Sequence, residues 1–83
     1  MAKRAVVMLN LIARNEVFEI DVPLDLSASE LMGGLNKAYK LNMTADEVAD
    51  CYVKAENPVV LMHGKKTLEE YGIVTGSVLN ITE

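Results

Sequence analysis

Residues 16–22, "EVFEIDV", alternate with a period of two, which puts Phe18, Ile20 and Val22 on one face and Val17, Glu19 and Asp21 on the other. Such a segment is a strand with one dry face, and a single strand cannot bury that face alone. It needs paired neighbours and something to pack against. Just before it, residues 5–12, "AVVMLNLI", form a β-branched apolar run, and "ARNE" (13–16) supplies a polar turn, so the two runs predict a β-hairpin. In the first strand Val7, Leu9 and Leu11 are assigned inward, with Val6, Met8, Asn10 and Ile12 outward.

Pro23 closes the hairpin, and the next apolar periodicity is helical. Ser27 and Glu30 stand at capping-box spacing, where the hydroxyl takes one orphan amide and the carboxylate reaches back to another. Leu31, Leu35 and Ala38 then recur at helical spacing, and Lys37 and Lys40 fall near the end where cations suit the dipole. Gly33 and Gly34 conflict with that helix, each costing about 0.8–1 kcal/mol relative to alanine. Close packing of the helix on the sheet is the expected reason, with a local kink or a partner contact as the alternative. Residues 41–50 read as a loop with one helical turn from Thr44. Strands follow at 51–56 and 59–62, joined tightly through Asn57-Pro58, and His63-Gly64 turns the chain into a short helical turn over 67–72. The last strand is 77–82. The predicted order is β-β-α-β-β-short helix-β. An α+β domain with one helix laid across a mixed sheet is the economical way for each element to bury one face.

Eighty-three residues support one small core, so residues 1–83 are expected to form a single domain. With 51% hydrophobic and 24% charged residues the chain is expected to fold rather than remain disordered. A net charge of −4 argues against non-specific nucleic-acid binding, which needs a cationic face to release counterions. Lys3 and Arg4 ahead of an apolar run resemble a signal peptide briefly, but Asn10 interrupts the run and no small-residue cleavage site follows. The run also falls short of the ~20 apolar residues that span a bilayer. No direct membrane insertion is expected. Cys51 is the sole cysteine, which fits a reducing, cytoplasmic setting and leaves a thiol zinc site short of ligands.

Residues able to carry chemistry are few, and each has a plainer use. His63 is the only histidine and lies between a strand and Gly64, with no nucleophile and acid positioned around it. Ser27, Ser29 and Ser77 read as a cap, a first helical turn and a strand start. Cys51 reads as a small core hydrophobe. Asp46, Glu47 and Asp50 lack EF-hand spacing and its glycine, and "MGGL" (32–35) lacks the Lys-Ser/Thr of a phosphate loop. No catalytic, cofactor-binding or metal-ligating residue is expected, and no enzymatic activity. Two surface features suit a protein partner instead. Val6, Met8, Ile12 and Val17 face outward from the hairpin, and a basic group of Lys54, His63, Lys65 and Lys66 is placed to border them. The competing reading is scattered surface apolars with a solvated lysine rim.

The closing segment "TLEEYGIVTGSVLNI" (67–81) resembles the Thr-Leu-x-x-Tyr-x-Ile turn and final strand of ubiquitin-like proteins, and the resemblance runs from about residue 5 to 82. It implies the β-grasp fold. Leu68 and Ile73 would plug the bottom of the core, the Tyr71 hydroxyl would find a backbone partner across the turn, and Gly72 and Gly76 would take positive φ. Ubiquitin-like folds commonly use the exposed sheet face for partners. The length, the apolar opening strand, the acid-bearing second strand and the turn Glu70-Tyr71-Gly72-Ile73 are similar to the bacterial YukD/EsaB group of type VII secretion systems. A related domain forms the cytosolic N-terminal part of the membrane component EccD. The resemblance implies a cytosolic accessory or regulatory component that docks on a membrane-complex subunit or its ATPase. Conjugation and sulfur transfer require a C-terminal glycine carboxylate, and Asn80-Ile81-Thr82-Glu83 has none, so covalent tagging is not expected. The alternatives are a sulfur-carrier or modifier relative serving an adenylating enzyme, and a β-grasp subunit of another complex.

Overall fold

The hairpin forms in the register that the alternation predicts. In the computed structural model, which describes residues 3–82, β1 (Arg4–Leu11) and β2 (Glu16–Pro23) pair antiparallel, with Leu9 opposite Phe18 and Ala5 opposite Val22. Glu83 and the first two residues, on which the tail and leader readings partly rest, lie outside the described residues. Between the strands, Ile12–Arg14 make one 3-10 turn that ends at Asn15 with φ 53°, a left-handed position that asparagine tolerates better than most residues.

Helix α1 (Ala28–Tyr39) starts at the capping box. Glu30 N–H donates to Ser27 Oγ at 3.1 Å, and Ser27 N–H donates to Glu30 Oε1 at 2.9 Å. Its buried stripe is Ala28, Leu31, Met32 and Leu35; Ala38, assigned to that stripe from spacing, is exposed one turn later. At the other end, Arg14 Nη1 and Nη2 donate to the carbonyls of Tyr39 and Lys40 at 2.6 and 2.7 Å, so the hairpin turn caps the helix C-terminus. Phe18 of β2 packs beside Tyr39 with ring centroids 4.9 Å apart. The helix glycines do not answer to sheet packing as expected. A Cβ on Gly33 would lie 4.0 Å from Val48 Cγ1, toward the neighbouring helix, and one on Gly34 would meet open space.

That neighbour, α2 (Ala45–Asp50), occupies what the sequence suggested was mainly loop. Thr44 and Glu47 form a second capping box, and Asn36 of α1 fixes the approach by bonding both backbone groups of Met43 at 3.0 Å. Because Cys51 ends α2, the next strand starts two residues later than expected. The remaining strands are β3 (Val53–Glu56), β4 (Val60–Met62) and β5 (Val78–Ile81). They complete one mixed sheet in the order β2-β1-β5-β3-β4, with β5 parallel to β1 and every other pair antiparallel. The short helix expected over 67–72 is a run of hydrogen-bonded turns. Thr67 and Glu70 bond as a third capping box, but Gly72 at φ 84° stops the turn before a helix can propagate.

The core lies between the sheet and α1. Val7, Leu9, Leu11, Val53, Ala55, Met62, Leu79 and Ile81 come from the sheet, and Leu68 and Ile73 close the bottom as expected. Tyr71 bridges the turn: its hydroxyl accepts from His63 N–H at 3.1 Å and donates to the His63 carbonyl at 2.9 Å.

Two of the capping carboxylates give the fold an acid dependence. The Ser27 amide at Glu30, and the Thr67 amide at Glu70, hold these carboxyls below their ordinary value of 4.5; the Thr67 hydroxyl and the Lys66 charge add to the effect at Glu70. A pKa lower in the folded state than in the unfolded one stabilises fully above about pH 4.5, and the contribution is lost as pH falls through the folded value. Thermal denaturation is therefore expected to show Glu30→Gln/Glu70→Gln least stable relative to the parent at neutral pH. The gap should narrow as pH falls below about 4.5, and a gap that stays constant would place the effect elsewhere.

Candidate functional site

The face of the sheet turned away from α1 is built by the alternation in each strand. From β2 it carries Val17, Glu19 and Asp21; from β1, Arg4, Val6, Met8 and Asn10; from β5, Val78 and Asn80; from β3, Lys54 and Glu56; and from β4, Leu61. The register sets Asn10 opposite Asn80 and Asn80 opposite Lys54, so these three rows cross the middle of the face. Asn80 is the joint. Its Oδ1 accepts from Asn10 Nδ2 at 3.0 Å, and its Nδ2 donates to the Lys54 carbonyl at 3.1 Å and to Glu56 Oε2 at 2.9 Å. At 7% exposure Asn80 could not sit in a sheet centre unless these bonds were made. The ladder ties β1, β5 and β3 together through side chains and fixes the shape of the surface above them.

Next to this ladder lies a groove of about 510 Å3, lined by Ile12, Lys54, Ala55, Glu56, Val59, Asn80 and Thr82. Around the face, Val59 is 86% exposed, Val17 59%, Leu61 56% and Tyr52 55%. Tyr52 stacks on His63 with centroids 4.3 Å apart and planes 17° from parallel, which makes an aromatic step beside Lys54 and Leu61.

The residues singled out in the sequence are brought together in part. Val6 and Val17 are exposed on the hairpin side, Met8 lies between them half-buried, and Ile12 reaches the groove that also holds Lys54. His63 joins through its stack on Tyr52. Lys66 is drawn away, with Nζ 4.9 Å above the Tyr71 ring, and Lys65 is exposed in the turn beside it. Tyr52, Val59, Leu61 and Asn80 were not singled out. The alternation Tyr52, Lys54, Glu56 against Val53 and Ala55 carried a signal for Tyr52, whereas the continuous run "VVLM" gave none for Leu61.

Side chains weighed for chemistry have structural partners. Ser27 caps α1, and Ser77 Oγ donates to the Asn57 carbonyl while accepting from Val74 N–H at 3.1 Å. Cys51, expected in the core, is half-buried at the end of α2 and packs against the core. Asp46, Glu47 and Asp50 lie on α2. Among the described residues no group of three or more His, Cys, Asp and Glu side chains is placed to hold a metal ion, and no helix is long and apolar enough to cross a membrane.

No protein-family model and no curated protein matches the chain. Solved structures do. A designed protein based on ubiquitin matches with TM-score 0.70 and 20% identity over 95% of this chain and 87% of that one. The C-terminal ubiquitin-like domain of mouse tubulin-specific chaperone e matches with TM-score 0.69 and 11% identity over 99% and 90%. The ubiquitin-like domain of Plasmodium falciparum Dsk2 matches with TM-score 0.59 and 14% identity over 99% and 100%. The fold is the ubiquitin-like β-grasp.

Proposed function

We propose that this chain is a non-catalytic protein-interaction module that docks a protein partner on the sheet face opposite α1. The observation that carries the reading is the surface around Asn80, where Ile12, Tyr52, Val59 and Leu61 stand exposed beside a groove held rigid by a side-chain ladder. An ordered surface with apolar and aromatic groups loses little entropy on binding, which favours recognition without a conformational change. Two of the structures that share the fold are named as ubiquitin-like domains of other proteins, which agrees with a modular role. Within this reading the protein acts in the cytoplasm as an accessory or regulatory component of a type VII secretion system, on a membrane-complex subunit or its ATPase. The support for that narrower role is the YukD/EsaB-like turn Glu70-Tyr71-Gly72-Ile73 with the acid-bearing second strand.

Val17→Asp and Leu61→Asp are each expected to abolish recovery of the cross-linked partner from source-cell lysate. Stability should change by no more than about 0.5 kcal/mol, since both side chains are exposed. Binding retained by both variants would refute the face. Secretion-complex subunits in the recovered material support the narrower role; an adenylating enzyme, or extra covalent mass on the chain, would replace it with a modifier role.

A further inference from the structure

The two edges of the sheet are finished differently. At one, β4 is only three residues long, and just past it the Tyr71 hydroxyl occupies both backbone groups of His63. At the other, β2 runs for eight residues, and among the described residues no helix, loop or side chain bonds to its outer backbone row. The direction of that row follows from β1. Met8 N–H donates to the Ser77 carbonyl and the Val6 carbonyl accepts from Gly76 N–H, so the even-numbered residues of β1 turn their peptide groups toward β5. The odd-numbered ones therefore face β2, in a ladder that continues from the bond of Leu24 N–H to the Lys3 carbonyl. Their partners are Phe18, Ile20 and Val22. Val17, Glu19 and Asp21 are left with N–H and C=O directed out of the sheet, and Pro23, which has no N–H, ends the open row.

The side chains of this edge select what can lie on it. Toward α1, Phe18 and Ile20 are only half-buried, so an added strand would cover the rim of the core there. On the opposite face stand Glu19 and Asp21, while Glu16, at the start of the strand, shares the α1 side with Phe18. Arg4 meets Asp21 at 3.1 Å, while Glu16 and Glu19 have no ion pair among the described residues. A second copy added antiparallel through β2 would bring two sets of carboxylates together, and like charges on facing strands are destabilising. A basic strand meets the opposite situation. We infer that β2 accepts, as a sixth strand, an extended segment of another protein in which apolar residues facing Phe18 and Ile20 alternate with Lys or Arg facing Glu19 and Asp21. Glu19 and Asp21 also belong to the face proposed above, but the open backbone row runs along β2 while that docking surface centres on Asn80 and Leu61, so Leu61→Asp tests the surface without altering this edge.

The test uses the full chain, 15N-labelled, with an acetylated and amidated Lys-Ile-Lys-Val-Lys-Ile peptide. The amides of Val17, Glu19 and Asp21 are expected to shift and to gain protection from hydrogen exchange. Glu19→Lys should weaken binding about tenfold, as lost attraction and new repulsion each contribute a few-fold, and should favour the peptide with Glu in place of Lys. The same peptide N-methylated at alternate residues, which cannot pair as a strand, should lose binding. The inference is overturned if the N-methylated peptide binds equally, or if the shifts centre on Lys54, Leu61 and Asn80. It also fails if nothing binds at about 1 mM peptide, or if the unliganded chain protects the same amides by dimerising.

Discussion

Leu68→Ala is expected to remove about 3–5 kcal/mol of stability, the cost of lost transfer energy plus a residual cavity at a site with no solvent exposure. A domain of this length has roughly 4–12 kcal/mol to lose, so the variant should melt at least about 12 °C lower or be partly unfolded at room temperature. The site resists collapse because its backbone is held on both sides. Leu68 N–H donates to the Leu26 carbonyl at 2.9 Å, and the Leu68 carbonyl accepts from Ile73 N–H at 3.0 Å. Urea denaturation checks the result. A loss under about 1 kcal/mol would mean that the turn closes over the vacancy and that Leu68 is not the plug described above.

Tyr71→Phe is expected to cost about 1–2 kcal/mol and roughly 5–10 °C in Tm, because the hydroxyl serves one donor and one acceptor of the same residue. The half-buried position lets water compensate in part, which keeps the figure below that of a fully buried pair. Phenylalanine preserves the ring beneath Lys66, so the loss belongs to the hydroxyl and not to the cation–π contact. Amide exchange at His63 should accelerate by more than at residues of β1. Unchanged exchange there would show that β4 is held by its pairing with β3 alone.

Both sites were expected from the resemblance of residues 67–81 to the closing segment of ubiquitin-like proteins, a resemblance carried by a short local stretch. Thr67, Leu68, Tyr71, Gly72 and Ile73 lie within seven residues, and turn geometry at that range depends little on the rest of the chain. The Ser27–Glu30 box was legible from its own spacing. The Thr44–Glu47 box had the same spacing, yet a helix of six residues has little periodicity, so α2 read only as one helical turn from Thr44 within a loop. The candidate binding face was legible only by halves. Val6, Ile12 and Val17 stand out because polar neighbours frame them or the hairpin defines their side, whereas Leu61 sits in an unbroken apolar run where either face is possible.

The faces of β1 and β2, the first helix cap and the closing turn are consequences of the sequence alone, since each depends on residues a few positions apart. Tertiary structure decided the rest. Asn10 and Asn80 meet across seventy positions, and Arg14 reaches the end of α1 from the hairpin turn. The parallel pairing of β1 with β5 puts β2 at an edge with its outer peptide groups unpaired. Side-chain periodicity is the same in an edge strand and a central one, so the identity of a strand's neighbours, and with it the surface left open for a partner, is set only when distant segments assemble around the core.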